Sequence, residues 1–225
     1  MDRLHRIRLL LGDDAIKKLQ SKTVMVVGCG AVGSFATEAL ARSGIGNLIL
    51  VDFDKVEETN INRQLFALHS TIGTPKVDVA AGRIADISPD INVTTFNMFW
   101  DADSNPDIKP DFVIDAIDSV PSKIALYRWC TEHKIPFVAS MGAAQKTDMS
   151  AIKIAPLSKT TVCPLAARVR KLVRAENIPD FPVVYSTQSP IKNDTGVLGS
   201  MITVTGAFGL NLANYAIQKL TAAQG

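Results

Sequence analysis

"KTVMVVGCGAVGSFATEALARSG", residues 22–44, is the stretch that decides the fold. It begins with an apolar run rich in β-branched residues, which is typical of a strand buried on both faces of a sheet. Residues 31–43 then have the periodicity of a helix, which Gly44 is placed to end. A strand, a glycine-rich turn and a helix in this order predict the first unit of a parallel α/β sheet.

The residues that follow extend this unit. The stretch "NLILVDFD", residues 47–54, reads as a second strand closed by acids, so the two strands should be parallel with a right-handed connection. Strands and helices alternate through Met141, with one helix starting at Pro75 and ending before Pro89. "SAIKIAP" and "FPVVYST" then indicate extra strands. We predict a doubly wound, Rossmann-like, mostly parallel sheet with additional C-terminal strands and a closing helix.

Length and composition fit one domain of 225 residues. We expect a helical N-terminal arm (1–20), a nucleotide-binding core (21–142) and a C-terminal portion for substrate or dimer contacts (143–225). The net charge of +2 permits nucleic-acid binding without requiring it. Three cysteines without a C-x-x-C pair fit neither a disulfide framework nor a zinc site, and the chain start lacks a secretory signal. We therefore expect a cytoplasmic protein.

One uncharged segment, residues 195–218, is long enough to span a bilayer. It is, however, interrupted by glycines and by Thr, Ser, Asn and Gln side chains, which a spanning helix disfavours. We expect a buried strand or loop leading into a core helix, and no stable membrane insertion.

The glycines of "GCGAVG" have the G-x-G-x-x-G spacing between strand and helix, at Gly28, Gly30 and Gly33. Such a turn lets backbone N–H groups meet a phosphate at a helix N-terminus. Asp52 follows at the end of the second strand, where a carboxylate accepts hydrogen bonds from ribose hydroxyls. The pattern predicts a nucleotide site, with a purely structural glycine turn as the alternative.

The connection "TNINRQLFALHSTIGTPK", residues 59–76, suggests which nucleotide binds. A dinucleotide cofactor carries a diphosphate, which the helix N-terminus largely satisfies, whereas a triphosphate needs further cations. Arg63 and Lys76 supply them, and an ion pair of Arg63 with Glu57 or Glu58 is the alternative. The predicted nucleotide-binding residues are Gly28, Gly30, Gly33, Asp52, Asp54, Asn60, Arg63, Gln64 and Lys76.

Two acids, Asp115 and Asp118, follow a further strand at the same edge of the sheet, in "FVIDAIDS". Either one could hold Mg²⁺ that bridges phosphates. A helix N-cap formed by Asp118 or Ser119 is the alternative reading.

Taken together, the glycine motif, "LVDFDKVEETNINRQ", "GTPK" and "VIDAIDS" resemble the ThiF/MoeB/HesA superfamily of adenylating enzymes. The resemblance implies ATP with Mg²⁺, Lys76 on the phosphate tail, and Asp118 as the catalytic, metal-associated acid. It also implies a homodimer in which an arm arginine enters the partner's site, and Arg6 is the matching position. The predicted catalytic residues are Arg6, Arg63, Lys76 and Asp118.

Within the superfamily, activators of ubiquitin-like sulfur carriers usually carry paired C-x-x-C motifs, which this chain lacks. "ALARSGIGNLILVDFD", "PLAARVRK" and "YST" are instead similar to the branch that dehydrates threonylcarbamoyladenosine in tRNA. This implies activation of the threonyl carboxylate and ring closure, with a sulfur-relay protein as a further potential partner. Activation of a sulfur-carrier C-terminus and NAD-dependent oxidation stay open as alternatives. Cys163, the one cysteine predicted in a loop, is expected to be a small filler rather than a catalytic thiol.

A tRNA substrate carries negatively charged phosphates, so we expect Lys and Arg side chains on the surface that binds it. The predicted helix that begins at residue 164 carries four, at Arg168, Arg170, Lys171 and Arg174. Steps of three place most of them on one face, and we expect contacts with tRNA phosphates. A solvated cationic face is the alternative.

Overall fold

The computed structural model describes residues 2–222, whose strands form one seven-stranded sheet. The strands are β1 (Thr23–Val27), β2 (Asn47–Val51), β3 (Asn92–Phe96), β4 (Phe112–Asp115), β5 (Phe137–Ser140), β6 (Ile152–Pro156) and β7 (Pro182–Ser186). Their order is β3-β2-β1-β4-β5-β7-β6. All neighbouring pairs are parallel except β6 and β7, which are antiparallel. The predicted mostly parallel sheet with extra C-terminal strands is confirmed.

Helices cover both faces of this sheet, as a doubly wound fold requires. They are α1 (His5–Leu11), α2 (Asp13–Ser21), α3 (Gly33–Ser43), α4 (Lys76–Ile87), α5 (Val120–Glu132), α6 (Pro164–Ala175) and α7 (Ile202–Thr221). One apolar core lies between the sheet and α2, α3, α4 and α7, and a second lies between the sheet and α5 and α6. Alternate residues of β1 enter opposite cores, which explains why the strand is apolar throughout.

The arm differs from the single helical segment that we predicted. It consists of two helices, α1 and α2, separated by Gly12 at φ 84°. Glycine adopts this left-handed conformation without steric cost, and Asp13 and Asp14 then favour a new helix N-terminus. The helix predicted to start at Pro75 starts one residue later, at Lys76, and ends at Ile87 as expected.

The uncharged segment contains a core helix, as predicted. Residues 195–199 are an exposed loop, and α7 follows with one face packed against α3. Its glycines allow this approach, since a Cβ at Gly209 would lie 2.2 Å from the carbonyl oxygen of Val32. Within residues 2–222, no helix combines the length and the apolar character needed to cross a membrane. The partition at residues 20 and 142 stays a prediction.

Candidate active site

The carboxyl ends of β1, β2, β4 and β5 border a cavity of about 990 Å³. The loops that follow these strands form its wall, which is where ligands bind in open parallel sheets. Nearly all of the predicted nucleotide-binding residues line it: Gly28, Gly30, Asp52, Asp54, Asn60, Arg63, Gln64 and Lys76. The topology therefore brings together residues that are up to 48 positions apart in the sequence.

The three glycines of the turn have different physical roles. Gly28 has φ 93°, and a Cβ there would lie 2.7 Å from the carbonyl oxygen of Ala116 on the neighbouring connection. A Cβ at Gly33 would lie 1.7 Å from the Gly28 carbonyl oxygen, so Gly33 closes the turn and does not line the cavity. Gly30 lines the cavity, where a missing side chain lets a ligand approach the backbone.

Asp52 is buried directly beside this turn. Its carboxylate accepts the N–H of Cys29 at 2.6 Å and the N–H of Asp54 at 2.8 Å. Burial raises the pKa of Asp52 above its ordinary value, and the nearby Lys76 charge opposes that shift. Each carboxylate oxygen has a further lone pair that is able to accept a ligand hydroxyl.

Lys76 has a counter-ion within the cavity wall. Its Nζ lies 2.7 Å from Oδ2 of Asp54, and its backbone N–H donates to the Asp54 carbonyl oxygen at 2.9 Å. The Lys76 side chain is almost fully buried, whereas that of Asp54 is 45% exposed. A ligand phosphate at Lys76 would therefore share the ammonium group with Asp54.

Arg63 makes no ion pair among residues 2–222, so the alternative pairing with Glu57 or Glu58 is wrong. Its Nη1 donates to the carbonyl oxygen of Thr59 at 2.8 Å and to Oδ1 of Asn62 at 2.9 Å. Both acceptors are neutral, so they orient the guanidinium group while its charge stays available to an anion.

Asp115 and Asp118 have opposite environments. Asp115 is completely buried and accepts hydrogen bonds from Lys123 Nζ at 2.7 Å and from the hydroxyl of Tyr127. Asp118 is exposed and lines the cavity. The N-cap of α5 is Ser119, and neither it nor Asp118 makes a side-chain capping hydrogen bond. Of the two acids, Asp118 is the one placed to contact a metal or substrate.

The remaining predicted residues lie outside the cavity wall. Arg6 is exposed on α1 and contributes nothing to the wall formed by residues 2–222. The side chains of Arg168, Lys171 and Arg174 are exposed along α6. Arg170 differs from the prediction, because its guanidinium group is half-buried and donates to the carbonyl oxygens of Leu157 and Thr160. It secures the turn before α6 and is not placed with the three exposed cations.

Comparison with known proteins identifies the fold family. The family model described as "ThiF family" matches residues 2–224. The chain belongs to the ThiF family. A relative from Bacillus subtilis, tRNA threonylcarbamoyladenosine dehydratase, is 47% identical over 190 residues, which cover 83% of this chain and 75% of that protein. The resemblance predicted from the motifs is confirmed, and membership argues against the oxidoreductase alternative.

Two crystal structures of a ThiF-fold relative are similar over nearly the whole chain. Both are of Escherichia coli tRNA N6-threonylcarbamoyladenosine dehydratase, one in complex with AMP and one in complex with ATP. Each is 35% identical and covers 97% of this chain and 93% of the relative, with TM-scores of 0.92 and 0.91.

Sequence reasoning missed two parts of the cavity of this ThiF-family chain. Phe53 and Phe99 form an edge-to-face pair, with ring centroids 4.9 Å apart, and both rings are about half exposed in the wall. Phe53 lies between the two acids of "VDFD", and an aromatic residue between polar residues at a strand end is a signal that the sequence does offer. Lys146 is buried and lines another part of the wall, as does Cys163, which the sequence singled out only as a small filler.

Proposed function

We propose that this chain uses ATP to adenylate the threonyl carboxylate of threonylcarbamoyladenosine in tRNA and then closes the ring with net loss of water. The observation that carries the proposal is the cavity wall, which combines Asp52, Arg63 and Asp118 at one sheet edge. The names of the Bacillus subtilis and Escherichia coli relatives, and the ATP and AMP complexes of the latter, support it.

The chemistry requires an activated carboxylate, because oxide is not a usable leaving group. A carboxylate oxygen attacks the α-phosphorus of ATP, and the bond from that phosphorus to the bridging oxygen breaks to release pyrophosphate. The carbamoyl group of the same nucleoside then attacks the acyl carbon, its proton passes to solvent, and AMP departs with the former carboxylate oxygen. Both groups belong to one substrate, so fixed geometry gives a high effective concentration.

The residues of the wall fit these steps. Asp52 accepts hydrogen bonds from the ribose, and the Phe53 and Phe99 rings offer apolar faces to the adenine base. Arg63 and Lys76 stabilise the negative charge that develops on the phosphates. No cysteine is needed, and burial of Cys163 is consistent with its predicted role as a small filler.

Mg²⁺ fits this site through Asp118. No cluster of three or more His, Cys, Asp or Glu residues suited to a metal occurs within residues 2–222. Mg²⁺ at nucleotide sites is, however, commonly bound by one or two carboxylates together with substrate phosphates, and the exposed Asp118 offers such a carboxylate. The ion would neutralise phosphate charge in the transition state.

The proposal includes an assembly and a location. In a homodimer, Arg6 would enter the partner's cavity, which is consistent with its exposed place outside its own cavity. Arg168, Lys171 and Arg174 would contact tRNA phosphates, and a sulfur-relay protein remains a potential partner. Such an enzyme would work in the cytoplasm, where tRNA is modified.

Nucleoside mass spectrometry tests the reaction. tRNA that carries threonylcarbamoyladenosine is incubated with the protein and Mg²⁺, with and without ATP. We expect a nucleoside that is lighter by one water only when ATP is present. An unchanged nucleoside, with ATP nonetheless bound, would contradict the proposal and favour activation of a sulfur-carrier protein.

A further inference from the structure

Lys146 is a buried cation of the cavity that none of the steps above uses. It lies in the loop after β5 and is 3% exposed, and its Nζ donates to the carbonyl oxygen of Gln188 at 2.6 Å. No carboxylate lies within ion-pair distance of it among residues 2–222. A buried ammonium group without a counter-ion is unfavourable, and two of its three donors are left for a ligand.

The loop that carries Lys146 is held in place by several hydrogen bonds. Oε1 of Gln188 accepts the N–H groups of Thr147 and Asp148, each at 3.0 Å. Gln145 has a left-handed backbone at φ 58°, and its N–H donates to the Gly199 carbonyl oxygen at 2.8 Å. Strained backbone held by surrounding bonds is found at sites where a side chain must be fixed for a ligand.

The strand that carries this loop lies apart from the strands that carry the glycine turn and Asp52. β5 is two strands from β1 and three from β2, so at the usual strand spacing it lies about 10–15 Å from the strands that precede the glycine turn and Asp52. Asp118 follows β4, the strand between β1 and β5. Under the proposed function, Arg63 and Lys76, which both line the cavity, already serve its phosphate side.

The end of the cavity near Lys146 favours a small anion. Cys163 and Leu165, which lie at the start of α6, also line the wall. A helix N-terminus presents backbone N–H groups and partial positive charge. Burial lowers the pKa of Lys146, and a carboxylate beside the ammonium group would reverse that change by supplying the missing opposite charge.

We propose that Lys146 binds the carboxylate of the acyl substrate before that carboxylate is adenylated. The inference rests on the function proposed above and names the residue that recognises the substrate's reacting group. Because the negative charge leaves the carboxylate as the adenylate forms, this contact is strongest in the ground state. Its loss is expected to raise KM for the modified RNA without lowering kcat.

Synthetic anticodon stem-loop RNAs test the contact directly. One carries threonylcarbamoyladenosine and the other carries its methyl ester, which lacks the charged carboxylate. Equilibrium binding of both is measured with a non-hydrolysable ATP analogue present, for the wild-type protein, for Lys146→Met and for Lys153→Met. Lys153 is an exposed lysine of β6 and serves as the matched control.

We expect the wild-type protein and Lys153→Met to bind the acid roughly 10–100-fold more tightly than the ester, as for a hydrogen bond to a charged group. Lys146→Met should bind both RNAs with nearly equal affinity and keep normal affinity for the ATP analogue. Lys146→Leu, which is likewise uncharged and has no hydrogen-bond donor, replaces it if circular dichroism shows that the Met variant does not fold.

The outcomes separate this inference from the proposed function. If the wild-type protein removes water from the acid-bearing RNA with ATP and the Lys146 variants still prefer acid over ester, the subsite is refuted while the function stands. If Lys146→Met instead weakens ATP binding and leaves RNA discrimination intact, Lys146 belongs to the phosphate side. Absence of turnover in the wild-type protein would overturn the proposed function and this subsite together.

Discussion

Arg63 and Lys76 are both cations of the cavity wall, yet the structure gives them different partners. Arg63 donates to neutral oxygens of Thr59 and Asn62, whereas Lys76 pairs with Asp54 at 2.7 Å. The charge of Arg63 is thus free to act on a phosphate, while Lys76 must share its charge. At the scale of single residues, both cations can act on a phosphate, and only Lys76 has a protein carboxylate as a competing partner.

Replacement of Arg63 or Lys76 by alanine should slow adenylation by roughly 10²–10³ if each stabilises charge in the transition state. The rate of ATP–pyrophosphate exchange in the presence of modified tRNA measures this step. Arg42→Ala is the control, since Arg42 pairs with Glu38 on α3, outside the cavity wall. Near-normal exchange in both variants would remove the phosphate assignment.

The raised pKa of Asp52 predicts how nucleoside affinity varies with pH. The ionised carboxylate is the better acceptor for ribose hydroxyls, so affinity should fall as pH drops through a pKa above the ordinary aspartate value. Because Lys76 lowers this pKa, the fall should begin at a higher pH in Lys76→Met. Adenosine is the suitable probe because it carries no phosphate, and Asp52→Asn should abolish the pH dependence. A Lys76→Met profile identical to that of the wild type would contradict the argument.

At the scale of elements, the close packing of α7 on α3 depends on glycine. An alanine Cβ at position 209 would lie 2.2 Å from the Val32 carbonyl oxygen and 2.8 Å from Cβ of Phe35. Gly209→Ala must displace one helix, and overpacking of this kind lowers the free energy of unfolding by about 1–3 kcal/mol.

Gly82→Ala on the exposed face of α4 is the control. Its Cβ would meet nothing within 4 Å, so it should raise the free energy of unfolding by about 0.5–1 kcal/mol. Urea denaturation measures both, and equal stabilities would refute the packing argument.

Element order was predictable because apolar strands and helical periodicity are local patterns. The break of the arm at Gly12 and the start of α4 depend on backbone conformation at single positions, which periodicity does not specify. The cavity was predicted where a motif marks it, at the glycine turn and at Asp52. Lys146 has no local signal, because the hydrogen-bond partner of its buried ammonium group is Gln188, 42 positions further along the chain.

Local sequence patterns also do not specify the surroundings of Asp115 and Asp118 or of the arginines on α6. The strand-end pattern alone leaves Asp115 and Asp118 equivalent, and the family resemblance favours Asp118. The buried partners Lys123 and Tyr127 give the physical reason, because they engage Asp115. Arg170 was placed among surface cations because helical spacing does not reveal the carbonyl oxygens that its guanidinium group reaches. Side-chain contacts that helical or strand periodicity does not specify thus account for each of these differences.

At the scale of the whole molecule, the proposed role of Arg6 requires two chains. Subunits with Arg6→Ala and subunits with Asp118→Ala should each be inactive as homodimers. A mixed dimer contains one site with both residues intact, so about half of its sites should regain activity if Arg6 acts across the interface. Dehydration activity of a purified, differently tagged heterodimer measures this. Absence of recovery in a verified heterodimer would place Arg6 in its own chain's site or outside the reaction.

The most direct test of the central claim, that the cavity activates a carboxylate through an adenylate, follows one oxygen atom. tRNA containing threonylcarbamoyladenosine labelled with ¹⁸O at the threonyl carboxylate is converted with unlabelled ATP, and the AMP released is analysed by mass spectrometry. Transfer of one ¹⁸O atom into AMP is the result we predict, because the carboxylate oxygen leaves on the α-phosphorus. Unlabelled AMP, formed while the nucleoside loses water, would contradict the adenylate and require another route of dehydration.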